Sequence, residues 1–226
     1  MVNDTNRLSL DDLANKHSTD KGTKYPHGTV HGYAPIYETY LSKWRDESIR
    51  MLELGICMEY SPGGHSVRMW SEYFLKAKIY TFDIVDMSQH PAIVECDRVE
   101  FFKGDQGNRE DFVSMFTEFK SKQFEFIVED GSHKHHHQMI SFGHLFKYVA
   151  SGGYYILEDI SIPGVKNCCI DNTPTYAVLQ HFKETGTIIN DNILSEEKEY
   201  LEKHVAGITI HHDIKDKFAV AIITKK

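Results

Sequence analysis

Phe124-Glu125-Phe126-Ile127-Val128-Glu129-Asp130-Gly131-Ser132-His133 is the stretch on which the reading of this chain turns. A short apolar run breaks off at two acids and a glycine, as a strand does when it is buried on both faces and ends at the rim of a parallel sheet. The same form occurs in Met51-Leu52-Glu53-Leu54-Gly55, Ile79-Tyr80-Thr81-Phe82-Asp83, Val99-Glu100-Phe101-Phe102-Lys103-Gly104-Asp105 and Tyr154-Tyr155-Ile156-Leu157-Glu158-Asp159. Between these runs, Val67, Trp70 and Phe74 fall at helical spacing, as do Met139, Phe142, Phe146 and Val149. Strands alternating with amphipathic helices predict a doubly wound α/β fold. Two β-rich runs, 208–213 and 218–224, flank the polar Ile214-Lys215-Asp216-Lys217 and predict a C-terminal antiparallel hairpin. The expected sheet has seven strands, mostly parallel.

Upstream of the sheet, Leu8, Leu10 and Leu13, then Tyr33, Ile36, Tyr37, Tyr40 and Leu41, have the spacing of two helices. The polar segment 16–32 between them is rich in Gly, His and Thr and reads as a lid or binding segment. The whole chain, 1–226, reads as one domain, with a helical and lid segment over 1–48 and an α/β core over 49–226.

A hydrophobic content of 41% without polar tracts predicts a fully folded chain. The formal net charge of −8 provides no positive field for a phosphate backbone or an anionic membrane, so neither nucleic acid nor lipid is an expected partner. No leader-like or membrane-spanning run stands out, and a cytoplasmic location is expected. Cys57, Cys96, Cys168 and Cys169 form no C-x-x-C pair and are expected as free thiols.

Chemistry should gather at the carboxyl ends of the strands, where open α/β sheets bind ligands. Gly55, followed by Ser61-Pro62-Gly63-Gly64-His65-Ser66, lets a ligand approach the backbone near a helix N-terminus. The spacing is not the G-x-G-x-x-G dinucleotide fingerprint, which disfavours a nicotinamide cofactor. Asp83, closing the second strand, is placed to accept from the hydroxyls of a ribose.

The fourth and fifth strands end in Glu129-Asp130 and Glu158-Asp159. Carboxylates converging there repel one another unless a cation neutralises them, and oxygen donors favour Mg²⁺ or a similar hard ion held by Asp130, Glu158 and Asp159. A hydroxyl bound there becomes more acidic. His133 is placed to take its proton, because an imidazole ordinarily titrates near neutrality. His135 to His137 read as a solvated helix entrance, since consecutive positions on a helix point in different directions.

At these residues the sequence resembles the macrocin and mycinamicin O-methyltransferases. The matching stretches are 13–23, containing Thr19-Asp20-Lys21, then 52–56, 63–70, 104–106, 129–133 and 152–159. The resemblance implies a class I fold and metal-assisted methyl transfer from S-adenosylmethionine (SAM) to a hydroxyl of a sugar or sugar-bearing small molecule. It implies Mg²⁺ at Asp130, Glu158 and Asp159 and a general base at His133. Cofactor contacts fall at Glu53, Gly55, Ser61, Asp83, Asp105 and Gln106, and Thr19-Asp20-Lys21 resembles part of the active-site cover. Glu129 stands where related sequences commonly carry Asp, a change that lengthens one carboxylate beside the expected ion. The expected partners are a sugar, nucleotide-sugar or glycoside substrate and a second copy of the chain in a homo-oligomer. Two competing readings are a nicotinamide-dependent oxidoreductase and a non-catalytic SAM-fold binding subunit.

Overall fold

The computed structural model describes residues 7–26, 30–57, 62–121, 123–164, 173–215 and 217–226. Strands β1 (Arg50–Leu54), β2 (Lys78–Asp83), β3 (Val99–Lys103), β4 (Phe124–Glu129) and β5 (Val149–Ser161) run parallel. With β6 (Val205–His212) and β7 (Phe218–Lys225) they form one seven-stranded sheet of order β3-β2-β1-β4-β5-β7-β6. β7 lies between β5 and β6 and is antiparallel to both, so the expected hairpin is present and docks through its second strand. The order reverses between β1 and β4, and the crevice at their carboxyl ends is where this architecture opens to ligands.

Helices cover both faces. α1 (Leu10–Lys16), α2 (Ala34–Leu41), α3 (His65–Tyr73) and α4 (Pro91–Val94) lie on one. α5 (Arg109–Phe119), α6 (His135–Leu145), α7 (Thr173–Thr185) and α8 (Ser195–His204) lie on the other. The two-residue period of the strands assigns side chains between them. Met51, Phe126, Val128 and Ile156 join the core under α1 to α4, whereas Leu52, Leu54, Ile127, Tyr155 and Leu157 join the core under α5 to α8. Carried one step further, the alternation sends Asp130 toward the N-terminal helices and Glu129 toward α6.

Two sequence expectations shift at element boundaries. Val149, at helical spacing with Met139 and Phe146, lies outside the helix: α6 ends at Leu145, a 3₁₀ turn spans Phe146–Tyr148, and Val149 begins β5. Its side chain is still buried in the same core, because a helix entering a strand beneath it keeps its last apolar residues on one side. Leu8 precedes α1 and is 43% exposed; the helix begins after Ser9, whose hydroxyl and backbone exchange hydrogen bonds with Asp12 in a capping box.

Candidate active site

The polar segment after α1 folds back upon it. Thr23 donates to the Asp11 carboxylate through its amide at 2.8 Å and its hydroxyl at 2.7 Å, and the Thr19 amide donates to the Ala14 carbonyl at 3.0 Å. The Asp20 and Lys21 carbonyls accept from His31 and Ala34, which ties the segment to the start of α2. Thr19 and Lys21 are buried as a result.

Lys21 reaches the strand ends. Its ammonium lies between the carboxylates of Asp130 and Glu158, hydrogen-bonded to Asp130 and 3.0 Å from Glu158. Burial alone would push this ammonium down, but the two carboxylates outweigh it and hold its pKa well above a lysine's ordinary value. Tyr37, fully buried on α2, turns its hydroxyl toward the same Glu158. Tyr33 donates to Asp159 at 2.9 Å, and His31 stacks on Tyr33 with Nδ1 at 3.4 Å from Asp159 and 3.5 Å from Asp213. Asp213 in turn accepts from the Lys215 and Lys217 amides and closes the β6–β7 turn.

Asp130, Asp159 and His133 face one another, each offering a ligand atom within 4.8 Å of the other two. His133 sits 3.8 Å from Asp130, in the left-handed region at φ 56°, and its buried Nδ1 has no hydrogen-bond partner. Two carboxylates and an imidazole this close suit a divalent ion with oxygen and nitrogen preferences. Glu158, bonded to the same Lys21 ammonium as Asp130, is not one of these three. Glu129 points the opposite way, to Gln106, and burial raises its pKa to about 7.

The residues expected around a cofactor divide into two groups. Gly55 and Asp83 lie at the mouth of the crevice. Gly55 has φ 82°, and a Cβ there would meet the Asp130 carbonyl oxygen at 1.9 Å, so only glycine lets the β1 and β4 ends pass this closely. Asp83 accepts from the Ile56 and Cys57 amides through Oδ2 and from Val85 through Oδ1. Among the described residues these three amides take three of the about four acceptor positions that a carboxylate offers. Beyond Asp83, Ile84 and Val85 are 63% and 47% exposed, an apolar shelf beside the acid.

Glu53 and Gln106 lie deeper, bonded to protein groups. Glu53 is buried under α3, accepts from the Ser66 hydroxyl at 3.0 Å, and has its pKa raised to about 7 by burial. Gln106 spans from Glu129 to the Ser132 amide and the Ser141 hydroxyl, while Asp105 Oδ1 caps its own turn at Gly107. Ser61, Cys168 and Cys169 lie outside the described residues. Neither Cys57 nor Cys96 is in a disulfide.

His135 departs from the expected solvated helix entrance. It is half-buried, with Nδ1 at 2.9 Å from the Thr175 hydroxyl and Nε2 at 3.1 Å from the Asn190 amide. Nothing in its own neighbourhood in sequence signals these partners, which α7 and the segment before α8 supply.

The sheet order and the strand-end site define a class I methyltransferase fold. In sequence the chain is similar to the macrocin- and mycinamicin-type sugar O-methyltransferases. It is 29% identical over 216 residues to demethylmacrocin O-methyltransferase of Streptomyces fradiae, spanning 91% of this chain and 51% of that protein. Mycinamicin VI 2''-O-methyltransferase of Micromonospora griseorubida is 28% identical over 214 residues, again 91% of this chain and 51% of the relative. The chain thus spans about half the length of the curated relatives it matches. Among solved structures, the MycE methyltransferase of the mycinamycin biosynthetic pathway, in complex with Mg, SAH and mycinamycin VI, superposes with a TM-score of 0.73 at 26% identity. That match covers 97% of this chain and 55% of the other. No protein-family model matches the chain.

Proposed function

We propose that this chain transfers a methyl group from SAM to a hydroxyl of a sugar or sugar-bearing small molecule with the help of a divalent cation. The observation that carries the reading is the convergence of Asp130, Asp159 and His133 within 4.8 Å at the carboxyl end of the sheet. The relatives add weight, since those it matches are sugar O-methyltransferases and one was solved with Mg and SAH.

Asp130 and Asp159 would hold the ion, with Glu158 completing the carboxylate set. When bound, SAM supplies the methyl group and the ion supplies charge that acidifies the acceptor hydroxyl. His133, beside Asp130, takes the proton as the methyl group moves. Lys21, Tyr33, Tyr37 and His31 fix the carboxylates and keep bulk water from their inner side. On the cofactor side, Asp83 accepts from a ribose hydroxyl while Ile84 and Val85 offer apolar surface to the base. Gly55 leaves the crevice open between them.

The test is incubation of the purified protein with SAM, Mg²⁺ and a panel of nucleotide sugars and glycosides, with products followed by mass. Methylated sugar that disappears on chelation supports the reading. Tight binding of SAM without product from any sugar, or binding of NAD in preference to SAM, rejects it in favour of a binding subunit or an oxidoreductase respectively.

A further inference from the structure

Glu158 and Asp159 are consecutive on β5, yet both carboxylates turn to the same side. In an unbroken strand they would face opposite layers. The pairing of β5 with β7 accounts for the difference. Leu157 pairs with Ala221 and Ile160 with Ala219, so three steps along β5 match two along β7. The extra residue is a β-bulge, and Asp159 occupies it at φ 51°, a left-handed conformation that a non-glycine residue adopts at a cost of about 1 to 3 kcal/mol. The core confirms the shift, because Leu157 and Ile160 lie in the same apolar layer although they are three residues apart.

A conformation of this cost persists only where its surroundings hold it. Gln138, fully buried on α6, donates from Nε2 to the Glu158 carbonyl at 3.2 Å. The other end of its amide accepts from the Thr175 hydroxyl on α7 at 2.8 Å, which determines which way round the amide lies. Thr175 is fully buried and meets His135 Nδ1 at 2.9 Å. The backbone of the bulge is therefore gripped, from the layer opposite the carboxylates, by an amide whose own orientation is set by a second helix.

We propose that Gln138 is a positioning residue for the Glu158–Asp159 pair, holding the bulge in the conformation that turns both carboxylates toward Asp130. The proposal rests on the reading that a divalent ion binds at these carboxylates. Gln138 does not touch that site; it acts through the Glu158 peptide. Thr175 acts one step further out, by holding the Gln138 amide in its donating orientation.

The test is Mn²⁺ binding, followed by electron paramagnetic resonance of the free ion, for wild type, Gln138→Met and Thr175→Val. Methionine keeps the length of the side chain and removes the donor. Gln138→Met is expected to weaken Mn²⁺ about 10- to 100-fold, the usual consequence of losing a group that orients metal ligands, while calorimetry gives a wild-type affinity for S-adenosylhomocysteine. Thr175→Val, which leaves the glutamine in place, is expected to weaken Mn²⁺ in the same direction by less. A purely structural glutamine would lower the melting temperature and leave the Mn²⁺ affinity of the folded protein unchanged, and that result overturns the proposal. Should Gln138→Met not fold, wild-type Mn²⁺ affinity in Thr175→Val overturns it equally. Wild-type protein that takes up no Mn²⁺ refutes the metal reading itself, which separates that failure from one confined to Gln138.

Discussion

The Lys21 ammonium lies 3.0 Å from the Glu158 carboxylate, 137 positions further along the chain, and hydrogen-bonds Asp130 as well. One lysine from the segment before α2 is thus the internal counter-charge of the two strand ends that carry the acidic cluster. Removing one partner of a buried ion pair leaves the others charged and unpaired, at a cost of about 3 to 5 kcal/mol. Lys21→Met should lower stability by that amount in urea titrations. Excess Mg²⁺ should restore part of it, since an ion can neutralise the same carboxylates. A midpoint equal to wild type without Mg²⁺ would show that the pair contributes nothing.

Asp130→Asn keeps the shape of the side chain and halves its value as an ion ligand. Metal-dependent turnover should be lost while SAM affinity in calorimetry stays near wild type, because Asp130 lies beside the opening with Asp159 and His133 rather than at the Asp83 end. Chelation of the wild type should reproduce the loss. Full turnover after rigorous metal removal would reject the metal mechanism.

His133 occupies a position from which it can serve as base or as ligand. As the base, it should on substitution to Ala lower turnover about 10²- to 10⁴-fold with Mn²⁺ affinity unchanged. A parallel fall in Mn²⁺ affinity would instead make His133 a ligand and assign the proton to another group.

Away from the site, Arg109 grips Glu197 through two hydrogen bonds of 2.9 and 2.8 Å, tying α5 to α8. Burial would raise the Glu197 pKa, but the bonds from His144, Arg109 and the Leu194 amide together bring it from 4.5 down to about 2. A carboxylate with a depressed folded pKa contributes stability that is present above its unfolded value and is lost as pH falls through its folded value. Acid titration monitored by circular dichroism should therefore show a stability loss between about pH 4.5 and about pH 2 that Glu197→Gln flattens. An identical acid limb in the variant would remove Glu197 from the balance.

The strands and the acids that end them were legible because both signals are local: an apolar run of strand length, and the polar residues where burial stops. Asp130 and Asp159 were visible for that reason. The direction of Glu129 follows from strand alternation once β4 is placed between β1 and β5, and its bond to Gln106 then accounts for both residues. Lys21, Tyr33 and Tyr37 were legible only as cover and as apolar spacing. Their meeting with Glu158 and Asp159 depends on the fold bringing together positions more than a hundred residues apart. The bulge in β5 was hidden for a similar reason, because an extra residue is defined by the partner strand and not by its own sequence.

The place of β7 in the sheet has a consequence for the order in which the molecule can be made. A ribosome delivers β5 long before β7, and β6 reaches the sheet only through β7. Until residues 218–225 emerge, the nascent chain exposes one whole edge of β5, the strand bearing Glu158 and Asp159, and carries β6 without a partner. Exposed strand edges invite pairing with other chains, so in the interval before β7 arrives this edge is open to aggregation. Once made, β7 seals that edge and, in pairing across the bulge, fixes the course of β5 past Glu158 and Asp159.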